Sequence, residues 1–152
     1  MLGNCYLRQN TPVEAIQSHS AILPFRQPVQ VLNNLGVAYL RNGDYVQAEE
    51  SLERARKLAN TDPIVVLNLA VLWHLQGDSE RASLLLEESL RSGPAQGLLH
   101  HLQGLIFASQ GRTEQSATAL AEANRLGIDT VRLKTDDLRT LTQLFPVWRD
   151  PE

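Results

Sequence analysis

Residues 32–55 read LNNLGVAYLRNGDYVQAEESLERA, and this stretch decides the fold. Leu32, Leu35 and Tyr39 recur at three and four, and so do Ala48, Leu52 and Ala55, the spacing of amphipathic helices. Between the two runs stands Gly43-Asp44. The glycine suits the left-handed position that ends a helix, and an aspartate is a favoured residue to begin the next one. The stretch is a pair of helices joined by a tight turn.

Moving outward, the pattern repeats. Gly43, Gly77 and Gly111 are spaced by 34 residues. Seven residues before each come Gly36, Ala70 and Gly104, and four before come Tyr39, Trp73 and Phe107. After each come Ala48, Ala82 and Ser116, then Leu52, Leu86 and Leu120, then Ala55, Ser89 and Ala123. A small residue lets one helix approach another closely, and a large one fills the space beside that contact. The columns predict helices over 29–42 and 44–59, 63–76 and 78–92, and 94–110 and 113–126. Asp44 and Asp78 are expected N-caps, Asp44 with Gln47 as a capping box. Asp62-Pro63 is a cap with proline at the first helical position.

The block Leu32-x2-Leu35-Gly36-x2-Tyr39, Gly43-Asp44-Tyr45, Ala48-x3-Leu52-x2-Ala55 resembles the tetratricopeptide repeat signature. The resemblance implies an all-α fold, a right-handed α-solenoid of stacked antiparallel helix pairs. The third period departs most, with His100 and Gln103 where the first has Leu32 and Leu35. Leu99 and Leu102 stand one residue earlier, which leaves the register of that helix open.

The repeats divide the chain into 29–62, 63–96 and 97–130. Ahead of them, 1–28 reads as a partial repeat: Gly3, Tyr6, Asn10 and Ala15 align with Gly36, Tyr39, Gly43 and Ala48 after a slip of one residue. Thr11-Pro12-Val13-Glu14 is a helix start. Either the protein begins with a shortened repeat or the chain is a piece of a longer array, the second reading being favoured. In 131–152 the columns fail. Thr135-Asp136-Asp137, then Leu138, Leu141 and Leu144, read as a capping helix, since a solenoid needs a polar outer face at its end; Phe145 and Trp148 either pack it onto the third repeat, the favoured reading, or dock elsewhere.

Composition excludes several roles. The chain has 152 residues, 14 Lys and Arg against 17 Asp and Glu, and a formal net charge of -3. No basic stripe suggests nucleic acid, and no polybasic cluster or apolar run of ~20 residues suggests membrane insertion. The lone Cys5 has no internal disulfide partner. That fits a reducing compartment without requiring one; a cytoplasmic location is slightly favoured, and a periplasmic one stays open if the chain is a piece of a longer protein.

The resemblance also implies a concave side lined by first helices. Its groove positions here are Gln30, Asn33, Val37, Leu40 and Arg41, then Ile64, Leu67, Val71, His74 and Leu75, then Leu98, His101, Leu105, Ala108 and Ser109. Asn68 stands beside them, and the partial repeat adds Asn4, Leu7 and Arg8. Most are apolar, and leucine and valine facing water call for a cover, such as a helical or extended segment of a partner. A carboxylate clamp of the kind some family members use finds Asn4 and Asn34 in place. The basic residues it needs are replaced by Ile64 and Asn68.

Chemistry finds little footing. His74 and His101 lack the third ligand zinc normally takes, no phosphate-binding glycine loop is present, and no catalytic constellation is spaced to converge. Cys5 reads as half-buried packing, His19 as a residue without a special role, and Glu49, Glu50 and Glu53 as a solvated face. The expected function is a non-catalytic scaffold that binds a protein or peptide, needs no cofactor, and serves a larger assembly. Secretion, pilus or envelope-assembly machinery would be typical users if the source is bacterial. Self-assembly into a homo-oligomer, or service to a catalytic domain elsewhere in a longer protein, are the alternatives.

Overall fold

The computed structural model describes residues 2–9, 11–21, 29–92 and 97–130. Within them the chain forms eight helices and no strand. These are α1 (Leu2–Arg8), α2 (Pro12–Ser20), α3 (Val29–Asn42), α4 (Tyr45–Leu58), α5 (Pro63–Leu75), α6 (Ser79–Ser92), α7 (Gly97–Ser109) and α8 (Thr113–Arg125). The terminal cap expected over 131–152 lies outside the described residues.

The three turn glycines adopt φ of 89°, 88° and 73°, and each closes its helix in the same way. The amide of the next residue donates to the aromatic's carbonyl: Asp44 to Tyr39, Asp78 to Trp73, Arg112 to Phe107, all at 2.9 Å. The glycine amides donate to Leu40, His74 and Ala108. This satisfies carbonyls that a helix end otherwise leaves open. At the helix starts, Asp62 accepts from the amides of Ile64 and Val65, and Asp78 accepts from that of Arg81. Two expected caps differ. The Asp44 side chain makes no cap bond and is held instead by the Asn42 amide at 2.8 Å. The Thr11 hydroxyl donates backwards to the Tyr6 carbonyl. In both, a nearer partner outcompetes the helix amides.

The small column works by steric fit. A Cβ on Gly36 would lie 2.5 Å from Leu52 Cγ, and one on Gly104 would lie 2.7 Å from Leu120 Cγ. The register of α7 is therefore the same as that of α3. Leu99 and Leu102 join the main core. His100 and Gln103 line a cleft of about 800 Å³ against α8, with Phe107, Ala119 and Glu122.

Each helix packs on the next in sequence, and α5 packs in addition on α3 and α7. First helices thus touch one another along the stack, and second helices are spaced further apart. That asymmetry places the inner side of the curve on α3, α5 and α7. One core runs through the three repeats, including Leu52, Leu69, Leu72, Leu86, Leu102 and Ile106.

Candidate peptide-binding face

The inner side is sorted into a floor and a rim. Asn33, Val37, Leu40, Leu67, Asn68, Val71 and His101 are buried, Val71 completely. Arg41, Ile64, His74, Leu75, Leu98 and Leu105 are half-exposed. Gln30, Ala108 and Ser109 are open to solvent. The sequence reading had leucine and valine of the first helices facing water. Instead, Leu40, Leu67 and Val71 belong to the same apolar cluster that Leu75, Leu98 and Leu105 pack against from its edge. Val37 is buried with Leu7, Ala15 and Ala38 in the cluster between the partial repeat and α3. Close approach of successive first helices covers these side chains, because burying apolar area is favourable wherever the backbone permits it.

Polar groups tie the inner side together. Asn68 donates to Asn33 Oδ1 at 3.0 Å across α5 and α3, and Asn33 donates to Asn34 Oδ1 at 3.3 Å. The relay leaves Asn68 Oδ1 without a hydrogen-bond partner. The Arg41 guanidinium donates to the Leu7 carbonyl, joining α3 to α1. His74 Nδ1 shares a 2.6 Å hydrogen bond with the Ser79 hydroxyl. Burial holds its imidazole below the ordinary value, which keeps it neutral at neutral pH. Among the described residues, no three His, Cys, Asp or Glu are grouped to hold a metal ion.

The outer side carries contacts that the sequence reading missed. Glu49 and Glu53 do not form a solvated face. Trp73 Nε1 donates to Glu49 Oε1 at 2.9 Å, and the Arg81 guanidinium donates to the same oxygen at 2.7 Å. Arg81 also lies 3.7 Å from Glu53 and 3.7 Å from the Trp73 ring centroid. Within α4, Glu50 pairs with Arg54 and Glu53 with Arg56.

Cys5 is exposed rather than half-buried. His19 is buried, its ring against Gly3 and both nitrogens without partners. Burial, with the positive chain terminus adding to it, pushes His19 down to about 4. The signal was available: with the one-residue slip, Gly3 and His19 align with Gly36 and Leu52, so His19 stands in the leucine column.

Comparison with known proteins agrees with this architecture. Residues 39–106 match the tetratricopeptide repeat family, and the helix pairs on either side of them continue the same architecture. The photosystem I assembly protein Ycf3 of Synechococcus sp. (strain CC9902) is 31% identical over 94 residues, 59% of this chain and 54% of that protein. The Ycf3 of Prochlorococcus marinus (strain MIT 9211) is 32% identical over 84 residues, covering 53% and 48%. The chain spans about half the length of the curated relatives it matches. Among solved structures, a crystal structure of MamA superposes with a TM-score of 0.72 at 19% identity, covering 88% of this chain and 76% of that one. MamA 41-end from Desulfovibrio magneticus RS-1 gives 0.68 at 20% identity, covering 83% and 72%. These structural likenesses show the fold. No helix among the described residues is long and apolar enough to cross a membrane.

Proposed function

We propose that the chain is a non-catalytic scaffold that holds an apolar segment of another polypeptide along its inner side, in the service of assembling a larger complex. The observation that carries this reading is the rim. Ile64, Leu75, Leu98 and Leu105 stand half-exposed on consecutive first helices, with Arg41 and His74 between polar and apolar ground. An apolar strip of this kind gains by being covered, and an amphipathic helix or an extended segment has the shape to cover it. The relatives named for photosystem assembly support the wider role.

The test follows from the floor and rim. Val71 is fully buried, so Val71→Glu would probe folding rather than binding. Leu75→Glu and Leu98→Glu change rim residues and should leave the fold intact by circular dichroism. A photo-crosslinker at position 105 in the wild type should capture a foreign polypeptide, and the two rim variants should lose it. Capture of a second copy of the chain would replace this reading with self-assembly. Equal capture from position 46, on the outer side, would defeat it.

A further inference from the structure

The outer side of the junction between the second and third repeats holds a cleft of about 490 Å³, lined by Glu80, Ser83, Leu84, Glu87, Gln110 and Arg112. The four α6 residues recur at three, four and seven and so form one stripe. One repeat earlier the same stripe is Val46, Glu49, Glu50 and Glu53 on α4. There the place in front of it is filled from within the chain: Arg81 donates to Glu49, approaches Glu53 and stacks on Trp73. In the third repeat Gln115 stands where Arg81 would be. Arg112 covers the Phe107 ring from the N-cap of α8 and donates to Gln115 and Gln110, so that it borders the cleft with its own donors engaged by the two glutamines. The acceptors on α6 are left over. Neither Glu80 nor Glu87 is in an ion pair among the described residues. The Ser83 hydroxyl, 5% exposed, has no hydrogen-bond partner.

We infer that this cleft binds an arginine side chain of a partner polypeptide, held as the chain's own Arg81 is held one repeat earlier. The guanidinium donates to the Glu87 carboxylate and to the Ser83 hydroxyl. Leu84, 59% exposed, covers the methylene stem, and Glu80 adds negative potential at the mouth. Arginine suits the site better than lysine because a planar fork reaches a carboxylate and a hydroxyl together. This inference does not depend on the reading of the inner side.

The full chain, isotope-labelled, should be titrated with the capped peptide Ala-Ala-Arg-Ala-Ala and, separately, with its citrulline counterpart, which keeps the shape and loses the charge. Saturable amide shifts confined to residues 80–87 and 110–115 are expected with the first peptide and none with the second. Glu87→Gln should weaken binding by about tenfold or more, the loss of one charge-assisted hydrogen bond. Gln115→Arg, at an exposed position, supplies an internal guanidinium and should abolish saturable binding while the helical spectrum is unchanged. The inference is overturned by equal shifts with citrulline, by shifts centred on Glu49 and Glu53, by no saturable shift at all, or by undiminished binding to Gln115→Arg.

Discussion

The junction between the first and second repeats and that between the second and third share one backbone plan and differ in what crosses their outer edge. In the first, α4, α5 and α6 are drawn together by Glu49, Trp73 and Arg81. In the second, the same three places hold Ser83, Phe107 and Gln115, and a cleft stays open between α6 and the turn that leads into α8. The apolar columns alone are therefore enough to stack the repeats. The outer edge is a separate layer, in which a junction is either closed internally or left open to something else.

The largest way to break this contrast is Trp73→Ala. Trp73 is 4% exposed and fills the core beside the clasp, so its removal should cost about 3–5 kcal/mol in urea unfolding. An unchanged midpoint would mean that the first junction draws nothing from the indole.

A contrast within a hairpin, rather than across a junction, sharpens the comparison, since the N-terminal hairpin puts His19 against Gly3 where the other repeats have leucine. His19 is lowered from 6.5 to about 4 in the fold, so its neutral form is the one that packs. Its contribution is complete above pH 6.5 and is lost as the pH falls towards 4, where the unfolded chain takes up the proton first. At about 1.4 kcal/mol per unit the loss is of the order of 3 kcal/mol. His19→Leu should remove this part of the pH dependence and stabilise the hairpin at neutral pH. A variant with the acid sensitivity of the wild type would assign that sensitivity elsewhere.

Rewriting the first junction as the second is a smaller step. Glu49→Ser, Trp73→Phe and Arg81→Gln together should cost about 1–3 kcal/mol, most of it from the indole hydrogen bond to a carboxylate. A double-mutant cycle on Glu49 and Arg81 should give a coupling of about 0.2–1 kcal/mol, given that Arg81 is half-exposed. The reverse change, Ser83→Glu with Gln115→Arg, should raise stability by no more than about 1 kcal/mol. A loss there would show that Phe107 cannot support the clasp.

The helix pairs were legible because their signals are local and repeat: a turn glycine, a small residue and an aromatic, each at a fixed offset. The burial of Leu67 and Val71 beside the half-exposure of Leu75 and Leu105 was not. It depends on how closely neighbouring first helices approach, which no single column encodes. The Glu49–Arg81 bridge was hidden for a related reason. Its ends lie 32 residues apart, and within α4 alone the acidic residues read only as a solvated face. Asp44 failed as a cap because Asn42 reaches it first. His19 escaped notice because its offset is shifted by one residue.

The spacing of the helices has a mechanical consequence. First helices are in contact along the whole inner side, while the outer side is bridged between α4 and α6 by Arg81. The stack then behaves like a leaf spring pinned at one point along its back. Between α6 and α8 no ion pair of that kind occurs among the described residues, so a thick guest pressed into the hollow would meet less resistance there than at the preceding turn.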